Sequence, residues 1–187
     1  QVPYSKAVIA DDEIAAPKIK LTAASREAVL SLIRAERDFD PKGQRLVLIN
    51  PNASELLPHR RWMPDRYAEL IRRVIASHDD IVVGITGAPG ERAEAEAMAA
   101  ACGPRCFSLA GKTQLAELPM VTNDSGPSHF AAATGLPTIV LFGPETPRLY
   151  QPLGSSRAIY AGLACSPCVS AANHRKTACT DNVCMQA

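Results

Sequence analysis

The sequence predicts an α/β fold, a Rossmann-like parallel sheet with helices on both faces. Three observations carry that prediction. Short apolar runs of the buried-strand kind recur along the chain, RLVLIN at Arg45–Asn50 and TIVLF at Thr138–Phe142 among them. Helical patterns separate them: in Pro64–Ser77, Tyr67, Leu70, Ile71, Val74 and Ile75 fall at i, i+3, i+4, i+7 and i+8. Polar or glycine-rich loops follow the strands, as strand–helix alternation in a parallel sheet requires.

Residues 1–44 read as a connector. The stretch 1–20 has no sustained period. Residues 21–37 set Val29, Leu30, Leu32 and Ile33 after a Ser-Arg-Glu start, which predicts a short amphipathic helix, and 38–43 is a loop. The chain opens at Gln1 in mid-pattern, so the expectation is a piece of something longer, with a domain preceding this one. From Arg45 the elements alternate: strand 45–50, loop 51–63, helix 64–77 with Pro64 near its start, strand 80–86, turn 87–90, alanine-rich helix 91–102 and strand 105–109. Residues 114–118 begin a helix that stops after barely a turn, and Pro119 opposes its continuation. No room remains before the strand that feeds Asn123. About a dozen residues, one helix and its connection, are therefore expected to be missing near Leu118. A small-residue run at 130–134 and a Gly-Leu-Pro break lead into the strand at Thr138–Phe142. The domain is expected over 45–160, with 161–187 as a cysteine-containing tail.

A length of 187 residues suffices for one α/β domain and an appendage. Lys+Arg 20 against Asp+Glu 19 leaves a net charge of +1, which gives no global field for nucleic acid or a membrane surface. Hydrophobic content of 47% belongs to a packed globular protein. No apolar run approaches a membrane span, and no signal peptide stands at the front. Without G-x-S-x-G or H-E-x-x-H, hydrolase and zincin readings have no support. The G-A-P-G-E turn at 87–91 lacks the Gly-Lys-Ser/Thr ending of a P-loop, which excludes nucleotide hydrolysis of that type.

In such sheets ligands lie beyond the carboxyl ends of the strands. Loops 51–63, 87–91, 110–113, 123–129 and 143–147 should thus open onto one edge. The turn N-D-S-G-P-S-H at 123–129 has the makings of a helix N-terminus. Pro127 suits the first helical position, and Ser125 or Gly126 can cap it. Free N–H groups and the positive end of the helix dipole suit a phosphate there. Asp124 adds an acceptor for hydroxyls, and His129 projects from the first turn. Donors for phosphate beside an acceptor for hydroxyls are what a nucleotide-sugar requires; the plainer alternative is an ordinary capped helix. Arg60 or Arg61 can neutralise a diphosphate through a bidentate fork, or the two are a solvated pair beside Trp62. Glu91 can accept from a ribose diol, or serve as a carboxylate in a helix's first turn. Lys112 and Thr113 follow Gly111, with Thr113 the better candidate for a cap. His59 and His174 have no spacing that recommends them, and His78 reads as a solvent-facing helix end. Cys102 and Cys106 flank a turn within the domain. Cys165, Cys168, Cys179 and Cys184 have the ligand number of a tetrahedral zinc site, but the second pair is widely spaced, and reduced or disulfide-paired thiols are preferred.

Over about residues 46–185 the chain resembles the C-terminal half of glycosyltransferase family 9, the lipopolysaccharide heptosyltransferases. The resemblance rests, in order, on N-P-N-A-S…R-R-W-M-P-D-R-Y, G-A-P-G-E, L-A-G-K-T and N-D-S-G-P-S-H…G-L-P-T…L-F-G-P-E-T-P. The C-S-P-C…C…C-M ending is similar as well. The resemblance implies a GT-B architecture, two Rossmann-like domains with the active site between them, of which this chain is the C-terminal, donor-binding one. It implies inverting transfer of a heptose or related sugar from ADP-heptose, or another NDP-sugar, to a lipid-linked inner-core saccharide, with no metal or other cofactor required. The catalytic base is then expected in the N-terminal acceptor domain, no catalytic residue is expected here, and this chain alone is expected to be inactive.

Position by position, the resemblance implies that Asp124 binds sugar hydroxyls while Ser125 and Gly126 present N–H groups to the diphosphate. Ser54 and Arg60 would reach the same phosphates, Glu91 would hold the ribose, Lys112 and Thr113 would border the adenine, and His129 would line the sugar pocket. Arg60 stands where the family often has lysine; the charge is kept, but a planar fork replaces a point ammonium. The implied location is the cytoplasm, with peripheral contact at the inner membrane face. The rivals are a non-catalytic nucleotide-sugar binding module and an NDP-sugar epimerase of the same fold. The epimerase would need its acid/base carboxylates here, where only Asp124 and Glu91 are available.

Overall fold

In a computed structural model the chain is described at residues 18–20, 22–53, 57–112, 121–170, 173–174 and 176–186. Six strands form one parallel sheet: β1 Arg45–Asn50, β2 Ile81–Ile85, β3 Cys106–Ser108, β4 Val121–Asn123, β5 Thr138–Phe142 and β6 Ser156–Tyr160. Their order is β3-β2-β1-β4-β5-β6. The helices are α1 Ala23–Glu36, α2 Pro64–Ser77, α3 Arg92–Cys102, α4 Gly126–Ala133 and the short α5 Pro147–Tyr150.

Both faces of the central strands are covered, which is why they read as continuous apolar runs. β2 is buried at all five positions. Ile49, Ile81, Val83 and Ile85 pack with Tyr67 and Ile71 of α2 and Ala95, Met98 and Ala99 of α3 on one face. Their strand neighbours Leu48 and Val82 pack on the other face with Phe107, Leu109 and, from α1, Val29 and Ile33. α1, within the leader 1–44, thus lies directly on the sheet. Gly84 belongs to the middle of β2 because a Cβ there would sit 2.7 Å from Leu48 Cδ2. Among the described residues, a groove of about 710 Å³ on the α2/α3 face is lined in part by Val121, Ile139, Leu141 and Ile159.

The predicted parallel sheet is found, with particular differences. α1 starts at Ala23 because Thr22 Oγ1 accepts the Ser25 N–H at 3.0 Å, capping it ahead of the Ser-Arg-Glu triplet. Pro127 is the second residue of α4, after Gly126. Strand β6 and helix α5 have no counterpart among the predicted elements. The break expected near Leu118 falls at 113–120, outside the described residues. Among the described residues no helix is long and apolar enough to cross a membrane.

The strand order reverses between β1 and β4, and in open α/β sheets such a switch point is where a ligand crevice forms. A buried amide side chain spans it. Asn123, at the end of β4, is fully buried. Its Oδ1 accepts the Trp62 N–H at 3.1 Å and the Tyr67 hydroxyl at 2.8 Å. Its Nδ2 donates to the carbonyls of Pro51 and Asn52, each at 3.1 Å. Two donors face one end of the amide and two carbonyls the other, so its orientation has no alternative. Burial pushes the Tyr67 hydroxyl well above its ordinary pKa, which keeps it a donor to Oδ1.

Asn123→Asp is expected to lower stability by about 3 kcal/mol, because a second oxygen would face two carbonyls that lose their donor. Chemical denaturation of wild type and variant at pH 7 checks this; an unchanged midpoint would show that the amide does not hold the crevice.

Candidate functional site

Because all strands are parallel, their carboxyl ends lie on one edge, and the loops there meet in two knots. The first surrounds Gly87. A Cβ on Gly87 would lie 2.8 Å from Glu91 Oε2, 3.1 Å from Asn52 Nδ2 and 3.4 Å from Ala110 Cβ. Loops after β1, β2 and β3 therefore touch at one glycine, and Gly111 N–H donates to Gly87 O at 2.9 Å. Glu91 Oε2 accepts the Ala88 N–H at 2.6 Å, so part of this carboxylate serves as a local cap.

The second knot surrounds Arg60. It sits at the end of a one-turn 3-10 helix, Pro58–Arg60, and its side chain is only 14% exposed. Nη1 donates to the backbone carbonyl of Asp124 at 3.2 Å, and Nε lies 3.5 Å from Asp124 Oδ2. Nη2 is ion-paired with Glu145 Oε2 in the loop after β5. Both carboxylates are buried. Low exposure strengthens such charge-assisted bonds and makes leaving one partner unpaired costly. Arg61 takes the other course: it turns outward to pair with Glu94 on α3. Of the two arginines, then, it is Arg60 that faces the switch point.

Asp124 leads into α4. Ser125 occupies the N-cap position, but its hydroxyl does not cap: Oγ donates to Asn123 O at 3.2 Å and lies 3.3 Å from Thr122 Oγ1. This corrects the expected side-chain cap: the Ser128 N–H that a capping hydroxyl would accept goes to the backbone carbonyl of Ser125 instead. The Ser128 N–H and hydroxyl both turn back to Ser125 O, at 3.1 and 2.6 Å. Gly126 is exposed, with nothing within 4 Å of where a Cβ would stand. Among the described residues no acceptor takes the N–H of Ser125 or Gly126. Both amides stand at the positive end of the helix dipole, at the start of α4.

His129, in the first turn of α4, is an exposed residue. Partial burial of its ring, and secondly the positive charge of Arg60, hold its pKa below the ordinary histidine value. That places it electrically beside the Arg60 knot. Lys112 lies apart from that knot: Nζ is 2.7 Å from Glu36 at the end of α1 and 3.4 Å from Ser108 O. Ser54 and Thr113 fall outside the described residues. Arg60, Asp124, Ser125, Gly126 and His129 thus gather at the switch point, while Glu91 stands in the neighbouring knot. Two residues of this edge carry no signal of their role in the sequence. Asn123 reads there as part of a turn. Glu145 was visible only as a lone charge in the turn G-P-E-T-P, and that motif does not say that it points inward.

The tail packs onto the same edge. Cys168 and Val169 N–H groups both donate to Pro144 O at 2.9 Å, and Ser166 Oγ donates to Gly143 O. His59 Nε2 lies 3.1 Å from Cys179 O, and since a carbonyl only accepts, the ring donates. Cys165, Cys168, Cys179 and Cys184 are free thiols. Burial pushes the Cys184 thiol up, and its three neighbours add to the effect. Among the described residues no group of three or more His, Cys, Asp or Glu side chains is arranged to hold a metal ion.

Residues 3–178 match the model of Glycosyltransferase family 9 (heptosyltransferase). The lipooligosaccharide heptosyltransferase 2 of Haemophilus influenzae is 30% identical over 160 residues, which cover 79% of this chain and 46% of that protein. The chain thus spans about half the length of the curated relatives it matches. Among solved structures, E. coli ADP-heptose lps heptosyltransferase II superposes with a TM-score of 0.64 at 25% identity, over 83% of this chain and 49% of that one. E. coli heptosyltransferase WaaC with ADP shares the fold at a TM-score of 0.53 and 22% identity, over 65% of this chain and 39% of that one.

A depressed histidine pKa means that the unfolded chain binds the proton more readily than the folded one. Stability should then fall as pH drops through the ordinary histidine range, about 6.5, toward the lower folded value. His129→Asn is expected to lose less stability than wild type between pH 7.5 and 5.5. Urea midpoints at the two pH values check this, and equal losses would show that His129 is not held neutral by its surroundings.

Proposed function

This chain belongs to glycosyltransferase family 9, the heptosyltransferases, and from that premise we propose that its switch-point edge is the donor half of an inverting glycosyltransferase. The donor is ADP-heptose or another NDP-sugar. The observation that carries the reading is the junction of Arg60 with the loop that opens α4: a guanidinium from the β1 loop bonds Asp124 O two residues ahead of Gly126, an exposed residue at the helix start. A fork and two amides at a helix N-terminus form a cradle for a diphosphate. Asp124, whose carboxylate lies against Arg60, takes the sugar hydroxyls, and His129 lines the sugar side of the cradle. Glu91 takes the ribose and Lys112 and Thr113 border the base, with Ser54 joining Arg60 on the phosphates.

In the reaction the acceptor hydroxyl attacks the anomeric carbon as the bond from that carbon to the diphosphate oxygen breaks. The electron pair leaves with the diphosphate, and the hydroxyl proton goes to a general base. Negative charge grows on the leaving phosphate, so preorganised donors there stabilise the transition state more than the ground state. Arg60 suits this role: a guanidinium has five N–H groups, and among the described residues its hydrogen bonds engage one each of Nη1 and Nη2. The base and the lipid-linked saccharide acceptor belong to a domain outside this chain, and the chain alone turns nothing over. The chemistry requires no metal. The site works in the cytoplasm, with the acceptor's lipid bringing the enzyme to the membrane surface.

ADP at saturating concentration should raise the melting temperature of the chain, more than UDP or NAD does, by mass action on the folded state. Arg60→Ala should weaken ADP about tenfold, the loss of charge-assisted hydrogen bonds to the phosphates. Calorimetric titration of both proteins checks this. No stabilisation by any nucleotide, or equal ADP affinity in the variant, would contradict the reading.

A further inference from the structure

Glu145 has no role among the donor contacts assigned above, yet among the described residues it is the most deeply buried charge, 1% exposed. A carboxylate so far from water must be paired, and Arg60 Nη2 is its ion-pair partner. The backbone that carries it is held on both sides. Pro144 O accepts two N–H groups from the tail, at 2.9 Å each, and Thr146 Oγ1 caps α5 by accepting the Arg148 N–H at 3.3 Å. Gly143 leaves no space for a side chain, since a Cβ there would lie 2.3 Å from Met185 Sδ. The turn that carries Arg60 is tied to the same tail through His59 and Cys179 O. The tail therefore braces both partners of an ion pair that come from loops 85 residues apart.

We propose that Glu145 is a positioning residue for the diphosphate site. Its carboxylate, anchored by the tail, holds the Arg60 guanidinium against the Asp124 carbonyl, so that the rest of the fork meets the diphosphate already oriented. A surface arginine must give up rotamer freedom when it clamps a phosphate, whereas one already fixed by a carboxylate has given it up in the folding of the chain. Glu145 touches no substrate and acts only through Arg60. The inference rests on the donor-site reading above.

The test is ADP binding by calorimetry to wild type, Glu145→Ala, Glu145→Gln, Arg60→Ala and the double variant Arg60→Ala/Glu145→Ala. Glu145→Ala is expected to weaken ADP about tenfold, as removal of a bond to a charged group does. Glu145→Gln keeps an acceptor for Nη2 and should stay within about threefold of wild type. In the Arg60→Ala background the Glu145→Ala change should have no further effect, because neighbouring residues that act as one unit are not additive. Additive losses, or wild-type affinity in Glu145→Ala, overturn the positioning role. If Glu145→Ala does not fold, Glu145→Asp replaces it: the charge is kept but withdrawn by one methylene, weaker ADP binding is expected, and wild-type affinity overturns the inference. Wild type that binds no ADP overturns the donor reading and this inference together, whereas binding that survives the Glu145 variants unchanged overturns this inference alone.

Discussion

A single buried carboxamide governs the geometry of this edge. β1 and β4 are neighbours with a register only two residues long, Ile49 with Val121 and Asn50 with Thr122. Backbone pairing that short leaves the loops beyond it undetermined. Asn123 determines them: its amide joins the end of β4 to the carbonyls of Pro51 and Asn52 and to Trp62 and Tyr67 around the start of α2. The turn Pro58–Arg60, between those two ties, meets the opening of α4 through the Arg60 bond to Asp124 O. Trp62 and Tyr67 stand edge to face at 4.9 Å, and Tyr67 and Asn123 are both fully buried. Hydrogen bonds in such a place are strong because nothing competes for them.

On this frame the charges are arranged with little freedom. One guanidinium lies between two buried carboxylates, Asp124 and Glu145, each from a different strand end. Beside it stand the backbone amides of Ser125 and Gly126 at the start of α4, where the helix dipole favours an anion. The carboxylates fix the arginine, and the amides and arginine together supply donors. On the donor-site reading proposed above, donors held in this way meet the charge that develops on the leaving diphosphate without reorganising, which is what electrostatic catalysis uses. Glycines keep the neighbouring loops close enough to share the edge. At Gly87 the side chains of Glu91 and Asn52 converge where any Cβ would intrude.

How much of this the sequence revealed follows from which interactions are local. Period and turn chemistry are local, so the parallel sheet, helix α2 with its Pro64 start, and the placing of the strand-end loops on one edge could be read directly. The turn 123–129 could be read as a helix start for the same reason. The use of each polar group there could not. Ser125 has the residue type of a cap, but its hydroxyl turns toward the end of β4 to donate to Asn123 O, and the Ser128 N–H goes to the Ser125 carbonyl, contacts visible only when the strand end is in place. Lys112 follows a glycine turn at a sheet edge, but the carboxylate that meets it comes from Glu36, on a helix that precedes the first strand. Glu145 and Arg60 are brought together across 85 residues by the order of β1, β4 and β5, and no spacing rule reports such an encounter. β6 escaped because SRAIY alternates half-buried and exposed positions and lacks the apolar run that marked the inner strands.

The central claim is that the switch-point edge is the seat of a nucleoside diphosphate. Amide chemical-shift mapping of the isotope-labelled chain during titration with ADP tests it most directly. The account predicts that the largest shifts fall on Ser125 and Gly126, with the Arg60 side-chain Nε signal moving in step. Shifts concentrated instead along the apolar strand face at Ile139 and Ile159, or none at Gly126 at saturation, would contradict it.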